Sequence, residues 1–420
     1  MSDHSGRESV AAVWRIESAR IVGALARWTG DFAMAEDLAQ EALAEALVTW
    51  PRTGVPRQPA GWLLTVGRRR AIDAYRRRAA LDERYAALAR ELDEGGAPAG
   101  GAGDVLWDPD RIDDDVLALM FIACHPVLSR EARLALTLRV VGGLTSDEIA
   151  KACLVPTATV QARITRAKKT LGAAGVAFEV PPAAERGARL GSVLGVVYLM
   201  FTEGSSASTG PDMIRFDLAG EAQRLARVLT GLMPAEPEVY GLLALLELTA
   251  ARFPARTGPD GAPVLLEQQD RRRWDRSAIR RGRAALVQAT RVGRGLGAYG
   301  VQAAIAECHA VAPSVAETDW ERVVLLYEIL GRLAPSPVVE LNRAVAVSMA
   351  DGPAAALPIV DELAATGELA SSHLLPSVRG ELLTRLGRTD EASKALTEAL
   401  RLCGNDHEKT VLARKLAALA

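Results

Sequence analysis

Apolar residues recur at helical spacing through most of the chain. The clearest case follows Pro156, where Val160, Ile164, Ala167 and Leu171 recur at i, i+4, i+7 and i+11 and form one stripe along a helix. No segment alternates apolar and polar residues for long enough to predict a β-strand. The pattern therefore predicts an all-α protein.

Two interruptions divide this helical pattern into three blocks. The segment GGAPAGGAG at 95–103 has the composition of a flexible linker, and VPPAAERG at 180–187 breaks the pattern a second time. We therefore expect two small helical domains followed by a larger one. The predicted bounds are 10–92 for the first domain, 93–112 for the linker, 113–175 for the second domain and 181–420 for the C-terminal extension.

The last block contains a weak internal repeat. The segments VVELNRAVAVSMADGPAAALPIVDEL and LLPSVRGELLTRLGRTDEASKALTEAL align about 36 residues apart, and each predicts a helix, a tight turn and a second helix. This period is close to the roughly 34 residues of a tetratricopeptide (TPR) repeat. Short helix pairs in other bundles have a similar pattern, so TPR-like stacking and an ordinary bundle both stay open.

Composition limits the function classes without naming one. Aromatic residues make up only 5% of the chain, which favours helices over sheets, and the formal net charge is −2. The start MSDHSGRESV is polar, and the longest apolar run, VLGVVYLMF, has nine residues where a membrane helix needs roughly 20. The four cysteines form no CxxC pair. The sequence thus predicts a cytoplasmic protein with no membrane span, disulfide framework, metal site or cofactor.

A helix-turn-helix is predicted in the second block. Thr145 and Glu148 form a capping box that opens the short helix SDEIAKAC, and Pro156 suits the entry of a second helix. The apolar stripe of that second helix leaves polar and basic side chains on its other faces, and 157–171 contains four basic residues and no acid. A recognition helix in the DNA major groove needs this arrangement. Cys153 and Leu154 occupy the turn, where many such motifs have glycine.

The first block contains a strongly basic helix. The stretch WLLTVGRRRAIDAYRRRA, 62–79, places six arginines and one acid in eighteen residues. Helical periodicity puts Arg69, Arg70, Arg76 and Arg77 on one face, opposite Ile72 and its apolar neighbours. Asp73 is four residues after Arg69 and three before Arg76, so on a helix it can pair with these arginines. Upstream, DFAMAEDLAQEALAEALVTW predicts a helix with an acidic face, which is also a common pattern for a solvated surface helix.

The order of these segments resembles that of the extracytoplasmic-function (ECF) sigma factors of the sigma-70 family. An AEDLxQE helix, a WLxxVxRxRAIDxxRR helix, a linker and a helix-turn-helix follow one another within residues 10–172. The resemblance implies a bacterial initiation factor. In such a protein the acidic helix binds core RNA polymerase, the arginine-rich helix binds and helps open the minus-ten element, and the helix-turn-helix reads the minus-thirty-five element.

The resemblance also assigns individual residues. It places the polymerase contacts at Glu36, Asp37, Gln40 and Glu41. It places the minus-ten contacts at Trp62, Arg68, Arg69, Arg70, Asp73, Arg76 and Arg77. It places the minus-thirty-five contacts at Thr157, Thr159, Gln161, Arg163, Arg166, Lys168 and Lys169. The family often has Asn where this chain has Arg69, so a phosphate contact is expected there rather than a base contact.

The C-terminal extension resembles that of one sigma-factor subgroup. Segments such as VLGVVYLMFTEGSSAS, PEVYGLLALLELTAAR and SPVVELNRAVAV carry this likeness. It implies a helical domain ending in TPR-like repeats, with a regulatory role. An intramolecular contact between the extension and the sigma domains would provide such regulation.

Two other function classes stay open. A one-component transcription regulator with a helical ligand- or partner-sensing domain would bind an operator without polymerase, and a helical scaffold with basic faces would not bind DNA. Enzymatic activity is not predicted. No Gly-rich phosphate loop, HExxH or GxSxG motif occurs. The neighbours Cys124–His125 and Cys308–His309 diverge by about 100° on a helix and do not suit a catalytic dyad.

Overall fold

Helices form every regular element in the described part of the chain, as the sequence predicts. The computed structural model describes residues 2–79, 109–153, 155–205, 216–258, 264, 266–404 and 406–419. The chain divides into two units, residues 1–199 and 200–420. Most of the predicted linker at 93–112 lies outside the described residues, and its last positions belong to the helix that begins at Pro109.

The first unit opens with three helices, α1 (Ser2–Thr29), α2 (Phe32–Thr53) and α3 (Pro59–Ala79). The turn between α1 and α2 contains Gly30, whose φ of 68° lies in the left-handed region that glycine tolerates best. Asp31 then caps α2, and its side chain accepts a hydrogen bond of 3.0 Å from the amide of Met34. Trp50 and Tyr75 are buried in the core of this block.

The second block of the same unit contains α4 (Pro109–Ala123), α5 (Arg130–Val140), α6 (Ser146–Cys153) and α7 (Thr157–Ala173). Leu119, Leu136 and Ile149 are fully buried between these helices. The next helix, α8 (Ala183–Ser205), packs on this block at its N-terminal end. There the Ser192 hydroxyl donates a 2.6 Å hydrogen bond to the Cys124 carbonyl.

The second unit continues with ten helices in the described residues. They are α9 (Phe216–Leu232), α10 (Pro237–Ala250), α11 (Arg276–Arg291), α12 (Ala298–Val311), α13 (Trp320–Leu333), α14 (Pro337–Ala350), α15 (Pro353–Thr366), α16 (Leu374–Arg385), α17 (Thr389–Leu402) and α18 (Asp406–Ala417). Three single 3₁₀ turns lie between α10 and α11. None of the helices in the described ranges has the length and apolar character that crossing a membrane requires.

The repeat predicted near the C-terminus corresponds to two helical hairpins, α14–α15 and α16–α17. Gly352 and Gly387, each with positive φ, lie in their tight turns. Gly380 of α16 faces Leu396 of α17 so closely that a Cβ at this position would lie 2.7 Å from the leucine Cγ. The small residues that the sequence places at the helix crossings therefore permit close packing.

Arginines of the second unit contact a deeply buried acid. Glu247 of α10 is 1% exposed, and Arg227 and Arg281 contact its two carboxylate oxygens at 2.5 and 2.9 Å. Arg271 donates to the carbonyls of His309 and Ala312 at the end of α12. These three arginines thus help to hold the unit together.

Helices α10 and α12 of this unit approach each other closely at their backbones. A Cβ at Gly241 would lie 2.6 Å from the amide nitrogen of Gly300. We expect Gly241→Ala to lower the free energy of unfolding by about 1–3 kcal/mol, because backbone atoms cannot move aside as a side chain can. Urea denaturation of the full chain, with hydrogen exchange of the α10 and α12 amides, measures the change.

Gly331→Ala provides the matched control, since a Cβ at Gly331 in α13 meets no heavy atom within 4 Å. This variant should keep or raise stability, by up to about 1 kcal/mol, because alanine favours a helix over glycine. Equal stability of the two variants would contradict a steric requirement for glycine at the α10–α12 crossing.

Candidate polymerase and promoter interfaces

The predicted helix-turn-helix is formed by α6 and α7. The capping box is present, because the Thr145 amide donates to the Glu148 carboxylate at 2.8 Å and the Glu148 amide donates to the Thr145 hydroxyl at 3.2 Å. The Thr157 hydroxyl donates to the Asp147 carboxylate at 2.8 Å and so links the first turn of α7 to α6. The predicted apolar stripe of α7 is buried. Leu154, in the turn, lies outside the described residues.

The predicted DNA-facing residues of α7 fall into two groups by exposure. Gln161, Arg166 and Lys169 are exposed, whereas Thr157, Thr159, Arg163 and Lys168 are half-buried. Thr159, Arg163 and Arg166 line an open groove of about 450 Å³ together with the start of α5. The exposed group therefore forms the basic surface that is directly accessible on this helix.

The charge of Arg163 is partly balanced inside this groove. Hydrogen bonds from its own amide and from Ser129 hold the pKa of Glu131 below its usual value, and the nearby charge of Arg163 adds to the effect. Glu131 also lies in the first turn of α5, where a negative charge is favoured. Glu131 therefore places a negative charge near Arg163 in this groove.

Glu45 of α2 organises the arginine face of α3. Arg69 and Arg70 each donate from Nη2 to one oxygen of this carboxylate, both at 2.9 Å. The hydrogen bond with Glu45 is the largest cause of the raised pKa of Arg70, and the charge of Asp73 contributes least. Glu45 was not among the residues predicted from the sequence. Glu41 and Glu45 are spaced i, i+4, and this acidic stripe facing the next helix was the available signal.

The other predicted minus-ten residues differ in their surroundings. Arg76, Arg77 and Asp73 are exposed at the C-terminal part of α3. Trp62 is half-buried and meets Trp50 edge-to-face, with ring centroids 5.4 Å apart. The guanidinium of Arg68 lies 5.2 Å from the ring centroid of Trp28, and burial followed by repulsion from Arg27 lowers its pKa. Arg68 thus packs within the block, while Arg76 and Arg77 reach solvent.

The predicted polymerase-binding residues of α2 are also divided by exposure. Asp37 and Glu41 are exposed and Gln40 is half-buried. Glu36 is only 3% exposed, and its carboxylate is bound by Arg139 of α5 at 3.1 Å and by Lys168 of α7. Lys168 also contacts Asp37 at 2.6 Å. A predicted polymerase contact and a predicted DNA contact are therefore paired with each other.

Electrostatics favours this pairing. Burial alone would lower the pKa of Lys168, but the charges and hydrogen bonds of Glu36 and Asp37 outweigh burial and raise the pKa above its ordinary value. Lys168 therefore stays protonated while most of its side chain is removed from water. A salt bridge in this setting depends on all of its partners, because a buried charge that loses its counter-charge is strongly destabilising.

A second ion pair joins the same two blocks, but here the second block provides the acid and the first block provides the arginine. Asp115 of α4 is 5% exposed and lies 3.4 Å from Arg27 of α1. Beside it, α1 approaches so closely that a Cβ at Gly23 would lie 3.0 Å from the Asp115 Cβ. We call the whole surface the inter-block contact, comprising Gly23, Arg27, Glu36 and Asp37 of the first block and Asp115, Arg139 and Lys168 of the second.

The two Cys–His neighbours have environments that disfavour nucleophilic chemistry. Burial raises the pKa of the Cys124 thiol to about 12, although its contact with Thr137 opposes the shift. Burial, with added repulsion from Arg252 and Arg271, lowers the pKa of His309 to about 4. A reactive thiolate needs a lowered thiol pKa, and the pKa of Cys124 is raised. Cys124 is therefore held in its neutral form and packs as a core residue.

The comparisons with known protein families agree with the geometry. Residues 15–80 match the family model of sigma-70 region 2, and residues 118–171 match that of sigma-70 region 4. The chain therefore carries both of these sigma-70 family regions, as its resemblance to the ECF sigma factors implies. Region 2 thus covers α1–α3 and region 4 covers α4–α7. Members of this family bind core RNA polymerase and promoter DNA, and the family is not an enzyme family.

Two relatives define the extent of the similarity. A protein of Rhizobium meliloti (strain 1021) described as uncharacterized is 45% identical over 412 residues, which span 95% of this chain and 93% of the relative. The probable ECF RNA polymerase sigma factor SigI of Mycobacterium tuberculosis is 29% identical over 188 residues, 44% of this chain and 61% of SigI. Residues 189–290 match a family of unknown function, DUF6596. The extension therefore accompanies the sigma regions in a relative of nearly equal length.

The capping box of the helix-turn-helix provides a direct test of its local stability. We expect Thr145→Val to weaken α6 by about 1 kcal/mol, because the Glu148 amide loses its acceptor. Hydrogen exchange of the α6 amides in the full chain measures the loss. Thr165→Val, at an exposed position inside α7, removes a hydroxyl that caps no helix and should leave exchange unchanged. Unchanged exchange in Thr145→Val would contradict a stabilising cap.

Proposed function

We propose that this sigma factor directs core RNA polymerase to a specific set of promoters and helps to open them. The observation that carries the proposal is the combination, in one unit, of an exposed basic surface on α7 and an arginine face on α3. Contacts to phosphates give affinity without sequence information, whereas side chains that reach base edges give specificity. The proposal assigns the first role mainly to arginines of α3 and the second to α7.

Residue roles follow from exposure. Gln161, Arg166 and Lys169 are proposed to enter the major groove of the minus-thirty-five element, because their side chains are accessible without rearrangement. Arg76 and Arg77 are proposed to bind backbone phosphates near the minus-ten element. Arg69 and Arg70 join them when a phosphate competes for the arginines that Glu45 now holds. Asp37, Gln40 and Glu41 are proposed to dock on polymerase.

We further propose that the extension regulates these activities. Support comes from the start of α8, where Arg189 lies 5.9 Å from the ring centroid of Phe121 and Arg133 donates to Ser192 at 2.7 Å. Because α8 covers part of region 4, a truncation at residue 180 would expose that core. Ending the chain at residue 205 keeps α8, so a change in promoter-specific transcription relative to the full chain would report regulation. Unchanged transcription would contradict it.

Run-off transcription with purified bacterial core RNA polymerase and a promoter library tests the main proposal. The full chain should stimulate initiation from a small subset of promoters that share two sequence elements. Binding of a duplex operator without core enzyme would instead indicate a one-component regulator. Failure to bind core and to stimulate initiation at any promoter would overturn the proposed function.

Charge variants of α7 test the residue assignment. Arg166→Gln and Lys169→Gln should each weaken promoter binding by the holoenzyme and reduce the dependence of log K on log salt concentration by about 1, because each removes one positive charge from the DNA-facing surface. A base contact at either position would also relax the promoter preference there. Arg401→Gln, which removes an exposed arginine of the extension, is the matched control. Equal salt dependence in all of these proteins would contradict the assignment.

A further inference from the structure

We propose that His373, Cys403 and Glu408 form a Zn²⁺ site in the extension. The Nε2 atom of His373 lies 2.9 Å from Oε2 of Glu408, and Sγ of Cys403 lies 3.7 Å from the same oxygen. All three ligand atoms lie within 4.8 Å of one another. Tetrahedral Zn²⁺ with bonds of about 2.0 Å to nitrogen and oxygen and 2.3 Å to sulfur keeps these ligands about 3.3–3.5 Å apart. Side-chain movements of roughly 1 Å therefore suffice for all three to bind one ion.

Topology explains why the three residues meet. His373 immediately precedes α16, Cys403 immediately follows α17, and Glu408 lies in the first turn of α18. In the antiparallel α16–α17 hairpin, the start of one helix and the end of the other lie at the same end. His373 lies far before Cys403 and Glu408 in the chain, and the three residues form no CxxC pattern, which explains why no metal site was predicted from the sequence.

The burial gradient also suits a metal. Cys403 is 4% exposed and packs among Leu396, Ala399 and Leu412, whereas the side chains of His373 and Glu408 are 25% and 52% exposed. The thiol thus forms the base of the site, and the other two ligands form its rim. Thiolate, imidazole and carboxylate together favour Zn²⁺ over Ca²⁺ or Mg²⁺. Three described ligands leave a coordination position for water, as in open zinc sites.

Metal titration of the full chain, prepared without a histidine tag and stripped with a chelator, tests this site. We expect one equivalent of Zn²⁺ to bind and to raise the melting temperature, since an ion that binds only the folded state stabilises it. Co²⁺ should give visible bands of tetrahedral coordination and a near-ultraviolet thiolate charge-transfer band. Glu408→Gln and His373→Gln should weaken binding about tenfold or more, and Cys403→Ser should abolish the charge-transfer band.

Cys153→Ser is the matched control, because Cys153 is a half-buried thiol of α6 in the other unit. It should keep the affinity and the charge-transfer band of the natural chain. Stoichiometric binding that is unchanged in Cys403→Ser and Glu408→Gln would overturn the site. Absence of bound metal in the natural chain would overturn it as well and would leave only a direct contact between His373 and Glu408.

The inter-block contact carries a second inference, which rests on the proposed function. We infer that it is an autoinhibitory latch between regions 2 and 4. While Glu36 and Asp37 bind Lys168, these acids are withheld from polymerase and the lysine is withheld from DNA. Each partner of the sigma factor would then bind the opened form better than the closed one. A ligand shifts such an equilibrium by its difference in affinity for the two forms.

Variants outside the proposed binding surfaces separate the latch from the docking residues. Gly23→Leu places a bulky side chain against Asp115, and Arg139→Gln removes one cation from Glu36. Each should open the contact without altering the residues that dock on polymerase or DNA. Ala12→Leu, at an exposed position of α1, and Arg130→Gln, at an exposed position of α5, are the matched controls.

Two measurements on the full chain decide the matter. Energy transfer between genetically encoded labels at Arg52 and Ala174, both exposed, reports the separation of the blocks. The dissociation constant for core RNA polymerase reports docking. Gly23→Leu and Arg139→Gln should lower the transfer efficiency and bind core roughly fivefold or more tightly, in the range of ordinary allosteric coupling. The controls should behave like the natural chain.

The possible failures are distinguishable. Opened variants that bind core with the affinity of the natural chain would overturn the latch and leave the proposed function intact. Unchanged energy transfer in both variants would overturn the role of these residues in holding the blocks together. Absence of core binding in every protein, including the opened ones, would overturn the proposed function itself.

Discussion

The buried carboxylate of Glu36 fixes how the first two blocks are held. Removing a carboxylate from water costs several kcal/mol unless cations and hydrogen bonds replace the lost solvation. Within the described residues, the second block provides Arg139 and Lys168 to this carboxylate. In the reverse direction, Arg27 of the first block contacts Asp115 of the second. Each block therefore buries an acid that a cation of the other block contacts.

Sequence patterns predicted the elements well because those elements depend on local interactions. The capping box at Thr145, the buried stripe of α7 and the basic face of α3 all follow from spacing within one helix. The helical hairpins near the C-terminus follow from small residues and turn glycines. Such signals need no knowledge of the tertiary structure, and the family resemblance could therefore be stated from motifs alone.

Pairings between distant residues could not be predicted in the same way. Lys168 and Asp37 are 131 positions apart, and Glu45 pairs with arginines that lie 24 and 25 positions further along the chain. An exposed acid and a paired acid look the same in a sequence, because the difference is made by tertiary packing. The same holds for His373, Cys403 and Glu408, which meet only because three helix ends converge. Residue types were thus predictable, and their partners were not.

In the proposed latch, competition for the same charged groups links the fold to regulation. The apparent affinity for polymerase is then the intrinsic affinity multiplied by the fraction of molecules that are open. The inter-block contact is suited to such control because its members differ in exposure. Glu36 is shielded, whereas the side chain of Asp37 is 70% exposed and shares the same lysine. A partner that first engages Asp37 would weaken the hold on Lys168, and the loss of that cation would leave Glu36 poorly compensated. The cost of burying Glu36 would then favour opening, so a surface contact could release a buried one.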